Sequence, residues 1–186
     1  MRSVIAILFS FFLIQDISGQ TDSTLRLILP DGKKHQVGVA IDIPISTFFK
    51  THFAGLSAGY SYSNKRFGIL HKVPAKRTGF LGSATISVYL GRDEKVVTSS
   101  YHYPLYYLLT TYGGIIHHFS NKIFLTIGAG PSLAYYNKTF RFNIGADLSV
   151  GYQLNEKISI KPGILLWKET ISDPLYAGTL MVSYSF

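Results

Sequence analysis

The stretch Phe140-Arg141-Phe142-Asn143-Ile144-Gly145-Ala146-Asp147-Leu148-Ser149-Val150-Gly151-Tyr152 alternates without a break. Phe140, Phe142, Ile144, Ala146, Leu148, Val150 and Tyr152 fall on one side, and the polar and small residues between them fall on the other. Successive side chains of a strand point to opposite faces, and no helical period accommodates such a run. The two end aromatics are 12 steps apart, or ~40 Å at ~3.3 Å per residue. Tilted by ~40–45°, that span projects to ~30 Å, the thickness of a hydrocarbon layer with an aromatic ring at each boundary.

The pattern recurs on both sides of this segment. Val37, Val39, Ile41, Ile43 and Ile45 oppose Gln36, Gly38, Ala40 and Asp42. Ala54, Leu56, Ala58, Tyr60 and Tyr62 oppose glycines and serines, and Phe80, Ala84, Ile86, Val88 and Leu90 oppose Ser83, Thr85 and Ser87. Segments around Ile127, Ile160 and Leu180 read the same way, whereas Tyr103 to Phe119 is long enough for a strand but has no clean alternation. Eight strands result, over roughly 35–46, 53–64, 79–91, 103–119, 122–136, 139–153, 157–168 and 175–186. An even count suits a closed, antiparallel, up-and-down transmembrane β-barrel, so the expected class is all-β with eight strands. Ser120-Asn121 and Asn155-Glu156 read as tight turns, on the end where the chain enters and leaves.

Ten strands is the alternative. Leu25 to Leu29 followed by Pro30-Asp31-Gly32 reads as a strand and turn, and the basic connection from Asn64 to Thr78 contains Phe67, Ile69, Leu70 and Val73. Pro131 and Pro162 fall inside proposed strands, where a residue without an N–H interrupts pairing or sits at a bulge; neighbouring Gly130 and Gly163 favour bulges.

The N-terminus reads as an export signal: Met1-Arg2-Ser3, an apolar run from Val4 to Ile14, and small residues at Ser18-Gly19. We expect a signal peptide over 1–19 and one barrel domain over 20–186, in the outer membrane. The chain of 186 residues has no cysteine, which excludes disulfides, thiolate metal sites and Cys nucleophiles. The formal charge is +8, with basic clusters at Lys33-Lys34 and between Lys65 and Arg77. Lipid phosphate or solvated loops account for them better than nucleic acid does.

An eight-stranded barrel has room for its own side chains or one small ligand. Asp42, Arg141, Asp147 and Lys161 are expected to face the lumen and to pair there, since isolated buried charges are costly. The inward Gly and Ser residues leave a narrow cavity or let Tyr89, Phe124 and Trp167 fill the interior.

The chemistry is sparse. His118 and Ser120 share a strand face, and His118-Phe119-Ser120-Asn121 resembles the motif of outer-membrane lipid A deacylases, in which His is the base and Ser the nucleophile. The resemblance implies candidate catalytic residues His118 and Ser120, but no Asp or Glu lies between Ser120 and Asp147 to orient the His. A catalytic role is therefore not the expected one. No histidine has a second metal ligand at a diagnostic spacing, and neither cofactor nor metal is expected.

The paired amphipathic strands, the tight turns and the closing Tyr184-Ser185-Phe186 resemble small outer-membrane β-barrel proteins of the OmpA/OmpX-like type. The run Gly128-Ala129-Gly130-Pro131-Ser132 and cleavage before Gln20 resemble the Bacteroidetes-type outer-membrane β-barrel family. The resemblance implies a monomer surrounded by outer-membrane lipid and lipopolysaccharide. It also implies that Tyr184 and Phe186 form the C-terminal signal read by the barrel assembly machinery. The expected function is non-enzymatic, structural or in surface interaction through the loops; the alternatives are a narrow solute or ion channel and, behind it, the lipid A hydrolase.

Overall fold

The computed structural model describes residues 34–64, 78–96, 99–169 and 173–186. The expected signal peptide, the strand proposed near Leu25 and the basic segment 65–77 lie outside them. Eight strands close one antiparallel barrel: β1 (Lys34–Ile45), β2 (His52–Asn64), β3 (Thr78–Gly91), β6 (Tyr106–His118), β7 (Ile123–Tyr136), β8 (Thr139–Gln153), β9 (Ile158–Glu169) and β10 (Leu175–Ser185). The barrel strands follow one another round the ring in chain order, and β1 closes on β10 over the register Gln36–Ser185 to Ile45–Tyr176. Two further strands, β4 (Asp93–Val96) and β5 (Ser99–His102), form a separate hairpin between β3 and β6 rather than enlarging the barrel to ten. A five-residue helix, α1 (Thr47–Thr51), joins β1 to β2.

The connections divide between two ends. At one, the loop end, lie α1, the β4–β5 hairpin, Asn137-Lys138 and the β9–β10 connection. At the other, the terminal end, lie the start of β1, the end of β10 and the turns over 119–122 and 154–157. The short turns hold for local reasons. Ser120 Oγ accepts the N–H groups of Lys122 and Ile123 at 3.2 and 3.0 Å, and Asn155 Oδ1 accepts those of Lys157 and Ile158 at 2.9 and 2.8 Å. Asn137 and Lys138, with φ of 48° and 61°, form a two-residue hairpin turn whose left-handed pair matches the strand twist. At the terminal end Phe186 N–H bonds His35 O at 3.0 Å and the two rings stack, so the last residue is fastened to the first strand.

The alternation predicts which face meets which medium. Val39 (65% exposed), Leu56 (66%), Phe142 (70%) and Ile144 (70%) point out of the barrel, whereas Asp42, Tyr89 and Trp167 are wholly buried within it. Exposed rings cluster at the two boundaries of this apolar band: Phe49, Phe53, Tyr107, Tyr135 and Phe140 towards the loop end, and Tyr60, Phe80, Phe119, Tyr152 and Tyr184 towards the terminal end. A soluble domain would bury such a surface; its continuity around the ring is the reverse arrangement that lipid requires.

β6 alternates as strictly as the rest, although its sequence hides it. Tyr106, Leu108, Tyr112 and Ile116 face inward while Tyr107, Leu109 and Ile115 face outward. Both faces are apolar, so no polar rhythm marks the strand. The prolines interrupt pairing without bulges. Thr110 pairs with Ser132 and Gly113 with Ala129 in one unbroken register, and only the pairs opposite Gly130 and Pro131 are missing. Pro162 does the same between Ser149–Gly163 and Tyr152–Ile160. The expected bulges are thus corrected: a missing N–H removes a rung but adds no residue, so register survives. The shift that does occur lies between His52 and Ala54, where β2 leaves α1.

Candidate functional site

Reading the lumen from the loop end downward gives three levels. In the uppermost, the strands place Tyr89 (β3), Tyr106 (β6) and Trp167 (β9) at one height, with ring centroids 5.6–6.3 Å apart. Phe48 of α1 sits on this triangle, 4.9 Å from Tyr89, 5.5 Å from Tyr106 and 5.3 Å from Trp167, with His52 4.7 Å to its side. Three of the contacts are edge-to-face, the preferred aromatic geometry. The result is a two-tier aromatic plug, with Phe48 above and a floor of three rings beneath it. Burying Phe48 contributes ~2–3 kcal/mol. Against this, Ser46 turns the chain into α1 at φ 59°, ψ −130°, with no side-chain cap bond; such a conformation costs a non-glycine residue ~1–3 kcal/mol.

Polar groups tie the plug to the wall. Trp167 Nε1 donates to Tyr106 Oη at 3.1 Å, Tyr106 Oη donates to Glu169 Oε1 at 2.9 Å, and Arg141 donates to Glu169 Oε2 at 2.7 Å. The Arg141 guanidinium also lies 5.5 Å from the Tyr136 ring. His52 is pinned on both ring nitrogens, by Thr51 Oγ1 at 2.8 Å and Pro104 O at 3.2 Å.

The middle level is polar. Ser57 donates to Asp42 Oδ2, and the Ser57 and Ser87 hydroxyls are 2.7 Å apart. On the opposite wall Ser149 donates to Asp147 at 2.6 Å, and Lys161 lies within electrostatic reach of Asp147. A cavity of about 60 Å³ runs from here towards the terminal end; serine and threonine hydroxyls share its lining with Leu81, Leu108, Ile116 and Phe124, and Asp147 and Lys161 are the charged groups on it. At the lowest level Phe124 and Ile116 narrow the lumen, Gln36 bonds Ser185 at 3.1 Å, and Lys34 reaches Gln153 at 3.2 Å.

Large rings fit so narrow a tube because glycines face them. A Cβ on Gly151 would stand 2.0 Å from the Phe124 ring, and one on Gly55 would stand 2.4 Å from Tyr89. Both glycines are directly paired with those residues across the sheet.

Of the four charged residues expected in the lumen, Asp42, Asp147 and Lys161 share the middle level. Arg141 stands apart, at the plug, where its partner is Glu169. Glu169 falls one residue beyond the seventh sequence segment, 157–168, which becomes β9; continuing the alternation Lys161, Gly163, Leu165, Trp167 by one step reaches it. Phe48 is absent for another reason: it belongs to a connection, and no strand rhythm points at it.

Tyr184 (45% exposed) and Phe186 (68%) face outward at the terminal end, with Lys157 Nζ 6.0 Å above the Tyr184 ring. His118 ends β6 with its ring 5.5 Å from Phe124. Ser120 spends its oxygen on two backbone N–H groups of the turn. Among the described residues no three His, Cys, Asp or Glu side chains gather as a metal site.

Outside the barrel, the β4–β5 hairpin projects from the loop end. Asp93 bonds His102 across it at 2.7 Å, and Arg92 lies 3.7 Å over the Phe49 ring, which fastens hairpin to helix. Tyr103 donates to Glu94 at 2.5 Å, and this acceptor carboxylate holds the exposed phenol above its usual range.

No protein-family model matches the chain, and a search of curated proteins returns no match. Solved structures do match. The crystal structure of Ail, the attachment invasion locus protein of Yersinia pestis, superposes with a TM-score of 0.53 at 14% identity over 84% of this chain and 99% of that one. The structure of the same Yersinia pestis outer membrane protein in a phospholipid bilayer nanodisc gives 0.55 at 10% identity, covering 83% and 100%. At these identities the likeness is one of fold: the chain has the architecture of an outer-membrane β-barrel with eight antiparallel strands.

Proposed function

We propose that this protein is an integral outer-membrane β-barrel without catalytic activity, and that its role is structural or lies in surface interaction through the loop end. The observation that carries the reading is the inversion of polarity: a continuous apolar band with two aromatic boundaries outside, hydroxyls and charges inside. The loop end is the better candidate for contact with partners. It carries α1 and the projecting hairpin, with Phe49, Phe53 and Tyr101 exposed, whereas the described terminal-end connections are short turns. Similarity in fold to a protein named for attachment is compatible with this. The sealed lumen disfavours the channel reading, because the aromatic floor blocks the axis. The turn-capping role of Ser120 disfavours a hydrolase. The narrower OmpA/OmpX-like and Bacteroidetes-type likeness, the lipopolysaccharide surroundings, the monomeric state and the assembly signal at Tyr184 and Phe186 belong to the same proposal.

The test is fractionation followed by electrophoresis of unboiled and boiled samples in SDS. A band in the outer-membrane fraction that shifts on heating is expected. A soluble protein with no shift would overturn the reading.

A further inference from the structure

A line of oxidisable rings runs from the plug to the surface at the loop end. Trp167, wholly buried and the single tryptophan of the chain, lies 5.6 Å from Tyr89 and 6.3 Å from Tyr106 between centroids. Tyr106 lies 5.7 Å from Tyr136, which is half-buried at the loop end of β7. Tyr136 is within electrostatic reach of Tyr101 and Tyr103 at the projecting hairpin, and those two rings meet edge to face at 4.9 Å. Exposure rises along the line until Tyr101 stands open to solvent. Two of the phenols on it donate to a carboxylate, Tyr106 to Glu169 at 2.9 Å and Tyr103 to Glu94 at 2.5 Å. Trp167 Nε1 meets the first of them directly, 3.1 Å from Tyr106 Oη. Packing accounts for part of this. A buried phenol needs a partner, so Tyr106 needs one whatever its role. Tyr103 does not, because water reaches it, yet it too is given a carboxylate. Tyr89, on the other side of Trp167, lies against Asp42 and leads only deeper into the lumen.

We propose that the plug is the inner end of a one-electron relay, which carries an oxidising equivalent from Trp167 through Tyr106 and Tyr136 to Tyr103 and Tyr101 at the surface. The substrates are one-electron-oxidising radicals. A lipid peroxyl radical is the kind that an apolar outer wall one strand thick would meet. It takes one electron from the indole and becomes a hydroperoxide anion, which leaves Trp167 as a radical cation. Tyr106 returns that electron. Its phenol proton moves to Glu169 in the same step, giving a neutral phenoxyl radical, a carboxylic acid and an intact indole. Arg141 holds the other oxygen of Glu169 and so keeps Oε1 aimed at Tyr106. The next electron comes from Tyr103 by way of Tyr136. The Tyr103 proton passes to Glu94, and Glu169 gives its proton back to Tyr106. A one-electron reductant in the medium, such as ascorbate, then restores Tyr103, and Glu94 returns the proton. Protons move only along hydrogen bonds already made, and the unpaired electron ends where small molecules can reach it.

The experiment uses the full mature chain refolded in detergent, with the heat shift in SDS confirming the fold of every variant. A laser pulse at the red edge of tryptophan absorption, where phenols do not absorb, photoionises Trp167 and stands in for the oxidant. Transient absorption follows the indole and phenoxyl radicals by their separate bands. In the wild type the indole radical is expected to decay as a phenoxyl radical grows, at a rate independent of protein concentration. A nitroso spin trap followed by mass spectrometry then locates the final radical, expected on Tyr103 and Tyr101. Tyr106→Phe keeps the ring and its packing but has no phenol to oxidise, and is expected to abolish the adducts on the hairpin. Glu169→Gln keeps the phenol without its base and is expected to lower them ~tenfold, the equivalent of one charge-assisted hydrogen bond. If Tyr106→Phe does not fold, Tyr101→Phe combined with Tyr103→Phe serves, since both residues lie outside the barrel wall; the adducts are then expected on Tyr136, and adducts confined to Trp167 would overturn the proposal. So would indole decay without phenoxyl growth in the wild type, and so would hairpin adducts as abundant in Tyr106→Phe as in the wild type, the result expected if the rings do no more than pack.

Discussion

The two halves of the lumen are built from the same strands in the same register, yet one is aromatic and full and the other is rich in hydroxyls and hollow. Towards the loop end, β3, β6 and β9 supply Tyr89, Tyr106 and Trp167, and α1 adds Phe48. Towards the terminal end, β2 and β3 supply Ser57, Ser61, Ser63, Ser83 and Ser87, and a cavity remains. Strand number sets the bore of a barrel. Whether the bore is open is decided level by level, by whether three or four strands present a large ring at the same height and whether a glycine faces it.

The sharpest way to break the contrast is to hollow the full half. Trp167→Ala removes the centre of the aromatic floor and the donor to Tyr106, and is expected to destabilise the barrel by ~3–5 kcal/mol. Urea unfolding followed by circular dichroism checks this, and a loss below ~1 kcal/mol would mean the plug is not a packed unit. Next in size is the bond that ties the plug to the wall. Arg141→Ala removes the guanidinium that bonds Glu169, whose side chain is 6% exposed. The expected loss is ~2–3 kcal/mol, less than for a wholly buried pair because the Arg141 head is 41% exposed; Glu169→Gln should recover part of it when combined with Arg141→Ala.

Filling the hollow half is the converse. Gly151→Ala places a methyl against the Phe124 ring and is expected to cost ~1–3 kcal/mol by overpacking, measured as a lower urea midpoint with unchanged slope. Ser46→Gly relieves the strained entry to α1 and is expected to stabilise by ~0.5–1 kcal/mol after the entropy of glycine is subtracted. A destabilised Ser46→Gly would show that Ser46 makes a favourable contribution that its φ and ψ conceal.

The smallest effect lies outside both halves. Tyr103 ionises above its usual value of 10.0 because its phenol bonds Glu94. The contribution of that bond is fully present below the unfolded value and is lost as pH rises through the folded one. Ultraviolet titration of wild type against Glu94→Gln should therefore show a phenolate step that moves to lower pH in the variant.

The sequence announces the ring and its polarity because both rest on one rule, the period of two, repeated across segments with polar residues on the inner face. It is silent where that rule has nothing to contrast. β6 is apolar on both sides, so Tyr106 and Leu108 are not distinguishable as interior from the chain alone. Phe48 lies in a connection, where exposure follows from how α1 folds back and not from periodicity. The proline positions were legible as disturbances, but whether a disturbed rung shifts the register depends on the residue count in the partner strand. The charged residues of the lumen were legible individually; their grouping was not, because Arg141 and Asp147 lie on one strand six residues apart and meet different neighbours.

Trp167 is the single tryptophan of the chain, and it lies in the floor of the plug at the seam between β9 and β10, where it pairs with Leu175. Its emission is therefore a built-in clock for membrane insertion. Strand pairing elsewhere in the ring leaves the indole wet, and the blue shift marks the moment when the last hairpin docks and the three rings shut. Comparing that moment with the onset of resistance to protease or SDS would order closure of the wall against sealing of the interior, without a label anywhere in the protein.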